Sequence, residues 1–96
     1  MIRNHVRNFM EEIVWNQLED LLPTMPQVCS CDICLQDMFA FALNQLPPRY
    51  IATTGGEVYT KLKLLEAQYH ADILAALTKA VKAVSEHPRH DASVDQ

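Results

Sequence analysis

The hydrophobic positions in the first part of the chain recur at steps of one, three and four residues. The apolar side chains of this stretch are Val6, Phe9, Met10, Ile13, Val14, Leu18, Leu21 and Leu22. That spacing places them on one face of an amphipathic helix. We therefore predict a helix from about Ile2 to Leu22, and we expect Pro23 and Pro26 to stop it.

A second apolar segment follows shortly after. Residues 38–43 read Met-Phe-Ala-Phe-Ala-Leu, and such an almost unbroken apolar run is typical of a helix at the centre of a fold. We predict this helix from about Asp32 to Leu46. Asp32 is expected either as its N-cap or as an acid in its first turn, where the helix dipole favours a carboxylate. Pro47 and Pro48 should end the helix.

The longest periodic stretch occupies the last third of the chain. Residues 54–57, Thr-Gly-Gly-Glu, match a capping box with Thr54 as the cap. The apolar face that follows consists of Val58, Leu62, Leu65, Tyr69, Ile73, Leu77, Val81 and Val84. One helix reaching His87 would have about 30 residues and a length of about 45 Å, which exceeds the width of so small a domain. Either this helix is broken or it extends into a partner, and we favour a homodimer in which it supplies much of the interface.

These blocks favour an all-α fold, and the low glycine content, two residues in 96, agrees with it. Arg49 to Gly56 is predicted as a connector, with a short extended piece at Tyr50–Thr53. We predict a compact, homodimeric bundle of about three to five helices with a long C-terminal helix. Residues 1–88 would form a single domain, and residues 89–96 a flexible polar tail.

Charge and hydropathy exclude several classes of protein. The chain has twelve acidic and eight basic residues, so its formal net charge is −4, which argues against direct nucleic-acid binding. The chain has no run of about 18 apolar residues that would insert in a membrane, and its first residues lack the apolar core of a signal peptide. We therefore expect a cytoplasmic protein. Neither a nucleophile–base pair nor a phosphate-binding fingerprint can be assigned, so we expect no enzyme.

All three cysteines lie in one short stretch, VCSCDIC, as Cys29, Cys31 and Cys34. The C-x-x-C pair lets two sulfurs reach one ion from a turn that enters a helix, and the C-x-C step is also sterically feasible. We predict that these three residues bind a structural Zn²⁺. Two alternatives stay open: buried, inert thiols, which are common in cores, and a redox pair, which usually follows a strand.

A structural zinc site usually has four ligands, so one more ligand is needed. The spacing does not rank the possible donors, which include a group from a second subunit. The candidates within the chain are His5, His70, His87, His90, Asp32 and Asp37.

The stretch CSCDIC, followed by LQDMFAFALNQLPPRYIATTGGEVY, resembles the late competence protein ComFB family of bacteria. The resemblance rests on the C-x-C-x-x-C cluster, Asp37, the ALNQLPPRY segment and the Thr-Thr-Gly-Gly-Glu step, and it extends over nearly the whole chain. It implies a small, all-helical, dimeric cytoplasmic protein with cysteine-bound zinc and no known catalytic activity. The implied zinc site has four cysteines, whereas this chain has three. Bacillus relatives are encoded with genes for competence, which suggests a regulatory or interaction module.

The resemblance also directs attention to the connector after the second predicted helix, because some relatives are described as receptors for cyclic dinucleotides. Glycines at a helix start leave backbone N–H groups free for a phosphate, and arginine and tyrosine can stack on bases. The alternative function is therefore a receptor for cyclic di-AMP or cyclic di-GMP at the dimer interface. Helix capping and helix breaking alone would explain most of the residues concerned. These residues are Arg49, Tyr50, Thr53, Thr54, Gly55 and Gly56.

Overall fold

The computed structural model describes residues 5–64 and 66–88, and these residues are mostly helical, as predicted. The four helices are α1 (Phe9–Leu21), α2 (Asp32–Asn44), α3 (Thr54–Leu64) and α4 (Ala67–Glu86). Two very short strands, β1 (Arg7–Asn8) and β2 (Tyr50–Ile51), pair with each other, and a 3-10 turn covers Leu22–Thr24. The predicted tail, residues 89–96, lies outside the described residues, and the homodimer stays a prediction.

The core forms where α2 packs against α4 and α1 contacts both. Its largest fully buried side chains are Phe9, Val14, Leu18, Cys34, Met38, Ile73 and Leu77. Val14 and Leu18, Cys34 and Met38, and Ile73 and Leu77 are each four residues apart, so each of these helices turns one apolar stripe inward. Burial of a large apolar side chain contributes about 1.5–3 kcal/mol, and this packing is the main stabilising term.

The start of α1 differs from the prediction. Residues 1–4 lie outside the described residues, and Arg7–Asn8 is extended rather than helical, with Arg7 opposite Ile51 and Asn8 opposite Tyr50 in an antiparallel pair. The cause is the Asn8 side chain, whose Oδ1 accepts a hydrogen bond from the Met10 backbone N–H at 3.1 Å and so caps α1. The predicted extended piece at positions 50–53 is confirmed for Tyr50–Ile51.

The second helix agrees with the prediction except at its ends. It begins at Asp32 and ends at Asn44, ahead of the two prolines. Asp32 occupies the first turn of α2, and Cys31 is the N-cap. The same stretch of chain therefore starts the helix and carries the cysteines.

Of the two alternatives for the last periodic stretch, the structure shows the broken helix: the stretch forms two helices, α3 and α4, rather than one of about 30 residues. Glu66, with φ −64° and ψ 141°, is extended and precedes the first residue of α4. The apolar stripe is continuous along the sequence but not in space: Ile73 and Leu77 are buried, whereas Val58 and Leu62 are 52% and 62% exposed. With 20 residues, α4 is about 30 Å long and fits within one domain. None of the described helices is both long enough and apolar enough to cross a membrane.

Candidate metal centre

The cysteines lie in the connector between the 3-10 turn and α2 and in the first turn of α2. Cys31 caps the helix: its Sγ accepts a hydrogen bond from the Cys34 backbone N–H, with the two atoms 3.5 Å apart. Its backbone is extended, with φ −68° and ψ 164°, and this conformation turns the chain into the helix. Helix capping therefore directs the Cys31 sulfur toward the residue three positions later.

The three sulfur atoms converge. Cys29, Cys31 and Cys34 each place Sγ within 4.8 Å of the other two. Zinc binds thiolates at about 2.3 Å, so sulfurs at the corners of a tetrahedron lie about 3.8 Å apart. Because the side chains of Cys29 and Cys31 are exposed, small rotamer changes would close the difference. The donor set and its spacing fit a thiolate-bound zinc ion.

The thiols differ in their acidity. The hydrogen bond from the Cys34 backbone N–H is the largest influence on the Cys31 thiol and lowers its pKa. Burial, reinforced by the two neighbouring cysteines, raises the pKa of Cys34 to about 12. A metal that binds all three sulfurs must therefore displace the proton of Cys34, as metal binding to thiols requires.

The interpretation of the cysteines as buried, inert thiols fits Cys34 alone. Cys34 is 1% exposed and belongs to the core, while Cys29 and Cys31 are exposed and free. The element before the cysteines is a helix with a 3-10 turn rather than a strand, so the usual setting of a redox C-x-x-C pair is not found here.

A pocket opens beside the cluster. It has a volume of about 480 Å³ and has both Cys29 and Cys34 in its wall. The rest of its lining comes from the connector, from α2, and from the C-terminal half of α4 with the residues that follow it. These residues are Met25, Gln27, Val28, Met38, Thr78, Val81, Lys82, Ser85 and Pro88. The cysteine cluster therefore borders a mainly apolar pocket whose described lining includes one cationic side chain, Lys82.

The described part of the chain adds no fourth donor to the cluster. The histidines and carboxylates at positions 5–64 and 66–88 offer no atom within 4.8 Å of all three sulfurs. Two of the candidates, His87 and Asp37, line a different pocket together with Phe41. His5 and His70 are exposed, and His90 lies outside the described residues.

The second predicted site is only partly assembled. Arg49, Tyr50 and Gly56 line a pocket of about 390 Å³ together with Tyr59, which sequence reasoning missed. The other three predicted residues, Thr53, Thr54 and Gly55, are absent from the described lining of this pocket.

The cap of α3 is one residue earlier than predicted. The Thr53 hydroxyl, rather than that of Thr54, accepts a hydrogen bond from the Gly56 backbone N–H at 3.0 Å. The free N–H groups at this helix start are thus partly satisfied by the chain itself. Glu57, the predicted capping-box partner, instead forms an ion pair with Arg7 at 3.2 Å.

Arg49 is also engaged within the fold. Its guanidinium donates a hydrogen bond to the Tyr69 hydroxyl at 2.7 Å and lies 4.9 Å from the centre of the Tyr69 ring. Its backbone N–H donates to Asn8 Oδ1 at 2.8 Å. The helical spacing identified Tyr69 as an apolar-face residue, but no local pattern indicates a contact with Arg49.

An apolar patch on α3 and β2 faces outward. Tyr50, Val58, Tyr59 and Leu62 are 68%, 52%, 64% and 62% exposed, respectively. Val58 and Leu62 are four residues apart and lie on one helix face, and Tyr59 shares a pocket with Tyr50. Contiguous exposed apolar residues of this kind mark interaction surfaces.

Comparison with known proteins gives one consistent result. The family model of the late competence development protein ComFB matches residues 7–88. The competence protein ComFB of Bacillus subtilis (strain 168) is 32% identical over 79 residues, which are 81% of each chain. The solved structure of the late competence protein ComFB from Bacillus subtilis superposes with a TM-score of 0.69 at 32% identity, covering 86% of this chain and 91% of that one.

Proposed function

The chain belongs to the late competence development protein ComFB family, and from this premise we propose that it is a non-enzymatic, zinc-stabilised interaction module in competence. One observation carries the metal part of the proposal: three sulfur atoms within 4.8 Å of one another on a single short stretch. In the proposed site a fourth ligand completes the tetrahedron around the zinc ion, and the metal has a structural role.

The proposed site ties the connector to the core. Cys34 is buried and lines the same pocket as Val81 of α4, while Cys29 and Cys31 belong to the exposed connector. Zinc, when bound, supplies a crosslink between these sulfurs. The connector between α1 and α2 is then held at the start of α2, in the way that structural zinc sites stabilise small domains.

Elemental analysis of protein purified without added metal tests the proposal. We expect about one zinc per chain, and a melting temperature that falls when a strong chelator removes the metal. Cys29→Ser should lose most of the zinc. The matched control is Ser30→Ala, an exposed change in the same loop that should keep it. Well under one zinc per chain, with melting unchanged by chelation, would contradict the proposal.

We also propose that the module is a homodimer and that the exposed patch on α3 and β2 lies at the interface. The support is the patch of Tyr50, Val58, Tyr59 and Leu62, which are more than half exposed. Leu62→Glu should shift the molecular mass measured by light scattering from two chains toward one. Leu74→Glu, a change at an exposed leucine of α4, is the control and should leave the mass unchanged. A monomeric parent protein would refute the dimer.

A second candidate function is reception of a cyclic dinucleotide. It is favoured by the pocket that Arg49, Tyr50, Gly56 and Tyr59 share, because exposed tyrosines stack on bases and a dimer presents two copies to a two-fold ligand. Calorimetric titration with cyclic di-AMP and cyclic di-GMP tests it. Tyr50→Ala should abolish binding and Tyr50→Phe should keep it. Neither heat nor a thermal shift at about 100 µM ligand would remove this candidate.

A further inference from the structure

We propose that Cys31 and Cys34 are a modification site for hydroperoxides, which oxidise the two thiols to a disulfide and so disable the zinc site. The inference rests on the proposed zinc site and adds its regulation. Hydrogen peroxide would release the metal, and with it the connector between the 3-10 turn and α2, and a thiol reductant would restore both. The chain does not thereby become a thioredoxin-like oxidoreductase, whose C-x-x-C pair usually follows a strand.

The two thiols of this pair differ in their access to solvent. Cys31 is exposed, whereas Cys34 is 1% exposed, so a dissolved oxidant reaches the Cys31 sulfur first. The Cys34 side chain nevertheless borders the pocket beside the cluster, and the two Sγ atoms lie within 4.8 Å of each other. An exposed sulfur with a sheltered sulfur in reach is the arrangement of an attacking and a resolving cysteine.

The start of α2 favours Cys34 over Cys29 as the partner of Cys31. Cys31 is the N-cap of α2, and the Cys34 backbone N–H donates to its Sγ at 3.5 Å. Cα atoms three positions apart along a helical turn are about 5 Å apart, within the range of about 4.4–6.8 Å that a disulfide needs. Rotation of the exposed Cys31 side chain can then bring the sulfurs to bonding distance. Cys29 precedes the helix, so no helical turn fixes its distance from Cys31.

The oxidation consumes one molecule of hydrogen peroxide and proceeds in two steps. The Cys31 sulfur attacks one peroxide oxygen: an S–O bond forms, the O–O bond breaks, and the other oxygen leaves as water with the thiol proton. The Cys34 sulfur then attacks the Cys31 sulfenic acid: the S–S bond forms, the S–O bond breaks, and the hydroxyl group leaves as water with the Cys34 proton. The two thiols lose two electrons, and these electrons reduce one peroxide to two waters.

The disulfide and the zinc site exclude each other. Zinc binds thiolates, and the disulfide uses two of the three cysteines of the chain, which leaves Cys29 as the remaining thiol. Met25 and Val28 of the connector line both the pocket beside the cysteines and a second pocket that contains Trp15. Loss of the metal therefore releases a segment that forms walls of both pockets, and Trp15 fluorescence should change with it.

Titration of the zinc-loaded protein with hydrogen peroxide tests the inference, with released zinc read by a chromogenic indicator. We expect about one zinc per chain to be released as two thiols are lost, and a thiol reductant to restore zinc binding. Alkylation with different reagents before and after reduction, followed by peptide sequencing in the mass spectrometer, locates the bond. It should place the bond between Cys31 and Cys34 and leave Cys29 as the free thiol.

Two serine variants, both oxidised without metal, are the matched controls. Cys29→Ser should still form the disulfide, whereas Cys34→Ser should leave Cys31 as a sulfenic acid that dimedone traps. Because Cys34 belongs to the core, the mapping in the parent protein decides the question if that variant does not fold.

Three results would contradict the inference or its premise. Thiols that stay free and zinc that stays bound at several equivalents of peroxide would overturn the inference and leave the zinc site intact. A bond mapped to Cys29 and Cys31 would also overturn it. A parent protein that forms the disulfide but never binds zinc would refute the proposed function and, with it, the release of metal.

Discussion

The amide side chain of Asn8 joins two parts of the fold that are distant in sequence, and its loss should be costly. Its Oδ1 accepts from the Met10 N–H at 3.1 Å and from the Arg49 N–H at 2.8 Å, across 41 positions. The Phe9 N–H in turn donates to the Arg49 carbonyl at 2.7 Å. One acceptor atom therefore caps α1 and also fixes the connector that carries β2.

The magnitude follows from these two bonds. Removing an N-cap side chain costs about 0.5–2 kcal/mol. Leaving the half-buried Arg49 N–H without its acceptor costs about 1–3 kcal/mol. We expect Asn8→Ala to lower the free energy of unfolding by about 2–4 kcal/mol, a large share of the 5–15 kcal/mol typical of a domain.

Urea unfolding at fixed zinc concentration measures this change. Trp15 is the single tryptophan, and its ring meets that of Phe39 edge-on with 5.1 Å between centroids, so its fluorescence reports the packing of α1 on α2. With a slope of about 1–3 kcal/mol/M, the midpoint should fall by about 0.7–4 M while the slope stays the same.

Two further variants separate the contributions. Asn8→Asp keeps the acceptor and adds a charge that the helix N-terminus favours, so its stability should stay within about 0.5 kcal/mol of the parent. Asn8→Ser keeps a capping hydroxyl but is too short for Arg49, and it should fall between the parent and Asn8→Ala. Equal losses of stability in Asn8→Asp and Asn8→Ala would refute the reasoning. So would a loss of less than about 0.5 kcal/mol in Asn8→Ala.

Three other predictions follow from the core and the thiols. Leu77 is fully buried in α4, and Leu77→Ala should lower the free energy of unfolding in urea by about 2–5 kcal/mol. Leu74 is 41% exposed, and Leu74→Ala should lower it by less than about 1 kcal/mol. Similar losses in the two variants would contradict the assigned packing. In metal-free protein at pH 8, iodoacetamide should modify Cys31 well before Cys34, and peptide mass spectrometry measures the order. The reason is that a hydrogen bond lowers the pKa of Cys31 while burial raises that of Cys34. The reverse order of modification would contradict these assigned pKa shifts. The folded state raises the pKa of Cys34 above the ordinary thiol value of 9.0, so the stability that the protonated thiol contributes is complete below pH 9 and is lost as the pH rises toward the folded pKa. Above pH 9, the free energy of unfolding of the metal-free protein should fall by up to about 1.4 kcal/mol per pH unit relative to Cys34→Ala. Parallel pH profiles of the two proteins would contradict the burial of the thiol.

The helices could be predicted because their signals are local. The apolar spacing of α1 and α4 and the prolines after α2 act within a few residues. These helices are confirmed apart from their ends and apart from the break between α3 and α4. The C-x-C-x-x-C spacing likewise brings Cys29, Cys31 and Cys34 together through the turn that starts α2. Sequence reasoning succeeds where the chain closes a contact within one helical turn.

The errors arise where a contact spans the fold. No proline or glycine marks the break after α3, and the apolar period runs on through it, so the break reflects the packing of α4 rather than local propensity. Asn8 resembles any polar residue of a helical face until Arg49 is known to donate to it. The same holds for Arg49, whose guanidinium is held by Tyr69, 20 positions away. Tertiary hydrogen bonds of this kind leave no periodic trace.

The same distinction bears on the cysteines. A cluster closed within six residues fixes, on its own, only the connector. Its coupling to the fold depends on Cys34, whose side chain is buried with Met38 and Leu77 in one core. Because that burial raises the pKa of Cys34, the metal-free core favours the protonated thiol and the metal requires the thiolate. Zinc binding and core packing therefore act on one atom, and substitutions that loosen the core around Cys34 should change zinc affinity without touching the exposed ligands.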